Sequence, residues 1–274
     1  MEVEGGHQRK ALVATYELVG TALFIYMILV STGDALGVPL ALFSMIVIFG
    51  GITGGHFNPA VTLGVFIHEG KWKENAGYAA LIAVSQLVGS LLGMLLAAIT
   101  LCARINGELT IPEHRVPVLA PTDPKGENAY DMATDSDGFS ENWQTFITQV
   151  VCTFIFVAVI LMLKGQLTGP SKDGVLIALT VALTLGGLIQ VANHHAASFN
   201  PAVSLALTVF QTQAMENEGG YLTHYFYAYF IGPLLGGFLA GVFSRFHGPV
   251  HAASADQKPA AREEEQNPLI NNSV

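Results

Sequence analysis

Two copies of Phe-Asn-Pro-Ala-Val, at Phe57–Val61 and Phe199–Val203, hold the polar groups best placed to act on a solute. An asparagine side chain offers two amide N–H donors and a carbonyl acceptor, but no nucleophile. Asparagine is also a favoured helix N-cap, and proline is tolerated at the first helical position because its missing N–H would have no partner there. Asn58-Pro59-Ala60 and Asn200-Pro201-Ala202 therefore each start a helix whose N-terminus carries roughly half a positive charge. Such a pair can orient a neutral polar solute and repel a cation. The spans hold no nucleophile–base pair and no metal-ligand cluster, so an enzyme is not expected, nor any cofactor or metal. Cys102 and Cys152 lie in apolar runs and read as packing residues.

The two asparagines are 142 positions apart in a chain of 274 residues. Each motif follows a long apolar run and opens a shorter one, the pattern of a duplicated membrane protein with its transport site at interrupted helices. Composition agrees: 51% of residues are hydrophobic, 12% charged, and the mean hydropathy is +0.47. A soluble domain carries about a quarter charged residues, and a large soluble α/β enzyme would show short strands punctuated by polar helices. A spanning helix needs roughly 20 apolar residues. Six runs qualify, approximately Ala11–Ser31, Ala35–Ile52, Tyr78–Leu101, Phe146–Leu163, Val175–Val191 and Tyr221–Phe246. Pro59–Ile67 and Pro201–Phe210 are too short to cross. The expectation is an all-α membrane protein of six transmembrane helices and two re-entrant half-helices, built as an inverted repeat.

Five segments follow. Residues 1–10 form a polar N-terminal piece, 11–103 the first repeat, 104–143 a connecting loop, 144–246 the second repeat and 247–274 a tail. No cleavable signal peptide is evident, because the first run suits an uncleaved anchor. Lysine and arginine bias orients the spans. Nine cations, including Arg9, Lys10, Lys71, Lys73 and Lys164, fall on one side; Arg104, Arg115 and Lys125 fall on the other. Both termini are thus expected in the cytosol. The loop 104–143 carries eight carboxylates and should be largely irregular. Asp131, Asp135 and Asp137 could ligate calcium, but their spacing fits no twelve-residue calcium loop, which leaves a solvated acidic loop. A formal net charge of −9 argues against nucleic acid. The tail should be disordered. Within it, Glu265-x-x-x-Leu269-Ile270 has the form of an acidic dileucine signal read by clathrin adaptors, which sorts cargo to vacuolar or endolysosomal membranes, with the plasma membrane as the alternative.

Together these motifs resemble the aquaporin, or major intrinsic protein, family across nearly the whole chain to about Phe246. Gly54-Gly55-His56-Phe57-Asn58-Pro59-Ala60-Val61-Thr62-Leu63-Gly64 is similar to that family's first signature. Glu17-x-x-x-Thr21 matches its buried glutamate, and Gln149-x-x-x-Thr153 stands where a second glutamate is usual. Gly232-Pro233 with Gly236 and Gly237 fits the last span, where glycines allow close helix approach. The resemblance implies a homotetramer with one water-conducting pore per subunit, with Asn58 and Asn200 orienting the solute. Glu17 is expected to accept hydrogen bonds from a re-entrant loop rather than to couple protons, Gln149 doing likewise.

The chain departs from the family after its second motif. Most aquaporins place arginine directly after the second Asn-Pro-Ala; here that residue is Val203. Motif spacing puts the other filter positions at Val38, Ala197 and Leu188, with Leu185 as the alternative to the last. Four apolar residues remove a hydrogen-bond donor and a charge worth roughly 4 kcal/mol against a cation about 4 Å away at an effective dielectric near 20. Desolvation and the paired helix ends should still exclude ions, so the change falls on the choice among neutral solutes. Ser204 and the pair Tyr229-Phe230 are similar to the water-selective subgroup. Passive water conduction is the leading expectation. A broader channel for glycerol, urea or ammonia is the alternative. An ion-coupled transporter would need further ionisable pairs in the spans, and a purely adhesive protein would not need both turns intact. His194 and His195 precede the second motif; they are candidates for pH sensing, or ordinary vestibule residues.

Overall fold

The computed structural model describes residues 2–105, 108–121, 138–165, 169–215 and 223–256. Eight helices organise them. In chain order they are α1 (Glu2–Val30), α2 (Gly37–Thr53), α3 (Pro59–Glu69), α4 (Trp72–Leu101), α5 (Gly138–Lys164), α6 (Gly174–Val191), α7 (Pro201–Ala214) and α8 (Phe226–Asp256). Five of them, α1, α4, α5, α6 and α8, are long and apolar enough to cross a membrane. At 17 residues, α2 is the sixth span, near the lower limit for crossing. The half-helices α3 and α7 have 11 and 14 residues, too few to cross.

The packing repeats. The pairs α1 with α4, α1 with α2 and α3 with α4 recur as α5 with α8, α5 with α6 and α7 with α8, while α3–α8, α4–α7 and α2–α6 join the halves. Glycines make the closest crossings. A Cβ at Gly89 or Gly93 of α4 would run into the carbonyls of Leu18 and Ala22 on α1, and one at Gly237 of α8 into Ala60 O. At Gly236 it would lie 2.5 Å from Val150 O. Association in lipid depends on such approach, because burial from water no longer drives it.

The sequence boundaries shift where a helix outruns its apolar core. The polar N-terminal residues are helical and continuous with the first span: α1 begins at Glu2. The last helix continues through Asp256, so residues 247–256 are helical rather than disordered. Hydropathy marks the depth of lipid, whereas a helix continues into water until its backbone bonding stops, and the alanines at 252, 253 and 255 favour that. Glu265, Leu269 and Ile270 lie outside the described residues, as do Asp131, Asp135 and Asp137.

The connecting loop is also more ordered than its charge suggests. It opens with an antiparallel pair, β1 (Ala103–Ile105) and β2 (Glu108–Thr110), followed by a 3-10 turn at Glu113–Arg115. Val116, Leu119 and Ala120 are then buried. They belong to a stretch without charge, which can enter the molecule where its acidic neighbours cannot.

Candidate functional site

The two Asn-Pro-Ala turns meet. Asn58 Oδ1 accepts from the Ala60 backbone N–H at 2.8 Å and Asn200 Oδ1 from Ala202 at 2.9 Å, so each asparagine caps its own half-helix. Each amide then crosses over: Asn58 Nδ2 donates to Phe199 O and Asn200 Nδ2 to Phe57 O, both at 2.9 Å. One of the two N–H groups on each asparagine is thus committed to holding the opposite turn. The motifs alone assign both asparagines to the solute and give no sign of this exchange.

The residues before the motifs explain why the turns are rigid. Phe57 and Phe199 have φ of 46° and 52°, the left-handed region that costs a bulky side chain roughly 1–3 kcal/mol. Both rings are buried, and surrounding hydrogen bonds fix the backbone. Glu17 on α1 accepts from His56 N at 3.0 Å and Phe57 N at 2.8 Å, and from Gln86 Nε2 on α4 at 2.8 Å. Gln149 on α5 accepts from Ser198 N at 3.3 Å and Phe199 N at 3.2 Å, and its own amide donates to Ala196 O at 2.8 Å. Thr62 and Ser204 hydroxyls each donate to the carbonyl of their asparagine at 3.1 Å.

A cavity of about 250 Å³ runs past this junction. Asn58 and Asn200 line it, and so do Val38, Ala197 and Val203. Leu188 is buried outside its lining; Leu185, three residues earlier on α6, faces it instead. Two equivalent stripes form much of the wall: Phe24 and Ile28 on α1, Phe156 and Ile160 on α5, each four residues apart. One mouth ends at Gly55 and His56; the other is roofed by Pro117–Ala120 of the connecting loop. There the Leu119 N–H donates to Gln211 Oε1 of α7 at 2.7 Å, which pins the loop. No polar motif in the sequence announced that roof; an uncharged run inside an acidic loop was the available sign.

His194 and His195 sit in a 3-10 turn between α6 and the second motif and do not line the cavity. The His195 carbonyl accepts from Tyr229 OH at 2.9 Å, and its Nδ1 lies 3.5 Å from Thr145 Oγ1. Burial, with His194 beside it, holds the His195 ring below its ordinary pKa of 6.5.

Comparison with known proteins agrees with this geometry. The model of the family described as "Major intrinsic protein" matches residues 7–243. Glycerol uptake facilitator protein-like 6 of Lactiplantibacillus plantarum is 27% identical over 246 residues, covering 85% of this chain and 96% of the relative. Aquaporin Z of Photorhabdus laumondii is 27% identical over 217 residues, 76% of this chain and 79% of that protein. Among solved structures, the aquaglyceroporin from Plasmodium falciparum superposes with a TM-score of 0.64 at 17% identity, covering 88% of this chain and 99% of that one. With two crossed asparagine turns, an inverted repeat and a match over most of its length, the chain belongs to the major intrinsic protein family, as a multi-pass membrane channel.

Proposed function

We propose that this channel conducts water passively, down an osmotic gradient, through a pore in each subunit. The observation that carries the reading is the crossed asparagine pair: two amides fixed in place, each with one N–H left for solute, in a cavity whose other walls are largely apolar. A water molecule passing this point accepts from both amides and is turned away from its neighbours in file. The positive ends of α3 and α7 oppose cations at the same place. Val38, Leu185, Ala197 and Val203 would form the filter. Glu17 and Gln149 hold the turns and do not touch the solute.

A second reading is favoured by the filter itself. Four apolar side chains leave no donor at the constriction and no arginine to narrow it, which suits glycerol, urea or ammonia. The likeness to a protein named as a glycerol uptake facilitator supports the same reading. Assembly as a homotetramer, with the Gly55–His56 mouth in the cytosol and the roofed mouth outside or in a lumen, completes the proposal. Sorting by Glu265, Leu269 and Ile270 through a clathrin adaptor would place it in a vacuolar or endolysosomal membrane.

Stopped-flow shrinkage of proteoliposomes, run with impermeant osmolyte and then with glycerol and urea gradients, tests both readings against Val203→Arg. Fast water flux with little solute flux in the parent supports the water channel. Solute flux that Val203→Arg lowers about tenfold, equivalent to roughly 1.4 kcal/mol of barrier, moves the assignment to neutral solutes. If neither exceeds empty liposomes, the channel reading of this pore fails.

A further inference from the structure

The inverted repeat allows each polar contact in one half to be checked against its counterpart in the other. Positions 132 apart correspond on α1 and α5, as Glu17 does to Gln149; positions 142 apart correspond on the two motif loops, as Gly54 does to Ala196. The carbonyls of Gly54 and Ala196 are both tethered, but by different donors. Gln149 Nε2 serves Ala196 O while its Oε1 accepts from the loop. Glu17 as a carboxylate accepts only, and its oxygens already take three N–H groups. The donor to Gly54 O is instead Lys164 Nζ, at the end of α5.

Lys164 reaches that place by helix geometry. Phe156 and Ile160 face the cavity, and four residues further along the same stripe comes Lys164. Its counterpart in the first repeat, four residues after Ile28 and just past the end of α1, is Thr32, a neutral residue that lines the opposite mouth. A Cβ on Gly54 would stand 3.9 Å from the Lys164 ammonium nitrogen and 3.4 Å from the His56 ring, so the lysine arrives where loop and mouth meet.

We infer that Lys164 is a positioning residue for the first Asn-Pro-Ala turn: with Glu17 it does, as a donor–acceptor pair drawn from two helices, what Gln149 does alone in the other half. Resting on the channel reading above, this assigns the Gly55–His56 mouth a brace that crosses from the second repeat to the first. It follows that Glu17→Gln would make the lysine dispensable. The introduced amide could accept from His56 and Phe57 and donate to Gly54 O, and Gln86 would keep its contact with Thr62 Oγ1 at 3.0 Å.

The test is a cycle of Lys164→Met, Lys164→Arg, Glu17→Gln and the double variant that combines Glu17→Gln with Lys164→Met. Each is read by water flux in proteoliposomes and by thermal unfolding in detergent. Lys164→Met should lower flux about fivefold and reduce Tm. Lys164→Arg should stay near the parent, and the double variant should return to the level of Glu17→Gln alone, a non-additivity that contacting residues show. Should Lys164→Met fail to accumulate while the double variant does, that supports the brace equally. A Lys164→Met indistinguishable from the parent overturns it, and so does a double variant whose losses simply multiply. Parent flux decides the channel reading; the Tm cycle decides the brace even for a parent that conducts nothing.

Discussion

The two half-pores share a backbone and differ in how their polar groups are wired. Phe57 and Phe199 take the same left-handed conformation, and Thr62 and Ser204 make the same bond to their asparagine carbonyl. Beneath them, the first loop hangs from a carboxylate that gathers three N–H donors, the second from a neutral amide that accepts two and donates one. What the repeat preserves is therefore the satisfaction of the loop backbone, not the identity of the side chain that provides it. Buried N–H and C=O groups have to be paired, and two chemically different solutions meet that demand here.

The largest effect expected from this comparison comes from removing each support in turn. Hydrogen bonds to a charged group contribute about 1.5–3 kcal/mol, against about 0.5–1.5 kcal/mol for neutral ones. The contacts of Glu17 are also shorter, 2.8–3.0 Å against 3.2–3.3 Å for the Gln149 acceptor. Glu17→Leu should leave too little stability to recover folded protein. Gln149→Leu should yield folded protein with a lowered Tm and water flux reduced several-fold. Detergent-solubilised yield and Tm check this, and equal losses at the two positions would break the comparison.

A second asymmetry lies at the far ends of the half-helices. Gln211 of α7 is buried and holds the loop segment that roofs its mouth. The corresponding residue on α3, Glu69, is exposed and bonds only sideways among the described residues, accepting from Asn75 Nδ2 at 2.8 Å. Among the described residues, a loop segment held in this way covers one mouth only. Gln211→Leu should strand the Leu119 N–H, at a cost of about 1–3 kcal/mol, and loosen Pro117–Ala120 so that glycerol and urea flux changes more than water flux. Glu69→Gln should stay within about 0.5 kcal/mol of the parent, as exposed substitutions usually do. Solute-to-water flux ratios and Tm for the two variants decide it, and matching ratios would mean the roof plays no part in selection.

How much of this was legible beforehand follows the range of the forces involved. The half-helices were readable because Asn-Pro is a local start signal that the chain states twice. The six spans were readable because lipid demands long apolar runs. Glu17 could be placed as a loop support because an ionisable group in a span needs a partner, and Gln149 because it stands at the equivalent position of the second repeat. Between Leu188 and Leu185 the sequence left the choice open, because no motif fixes the register of α6; in the structure Leu185 lines the cavity and Leu188 lies outside its lining. Ends of helices escaped as well, since α1 and α8 continue past the apolar residues that betrayed them. The exchange of amides between Asn58 and Asn200, the roof at Leu119 and the lysine on Gly54 all join residues far apart in sequence. Composition says nothing of such contacts.

The smallest expected effect concerns titration at the entrance to the second loop. By the repeat, His195 corresponds to Thr53, whose hydroxyl oxygen accepts from the Gly55 N–H at 2.9 Å and does not titrate in the working range. Only the second half thus has an ionisable ring at this position. Burial and His194 place the His195 pKa below 6.5, so the ring is neutral at pH 7 and the neutral form is the one that folding favours. Its contribution to stability is complete above the unfolded value of 6.5 and declines as pH falls through it toward the folded pKa. A proton arriving there sits next to Ala196 and Ala197, so its effect on flux would be transmitted through the Gln149–Ala196 bond. Flux should therefore be flat from about pH 8 to 6.5 and shift only on the acid side, by about twofold or less for one partly exposed histidine. Replacing His195 with alanine should flatten the acid limb. A variant that tracks the parent curve would return both histidines to ordinary vestibule residues, leaving the two half-pores alike in their indifference to pH.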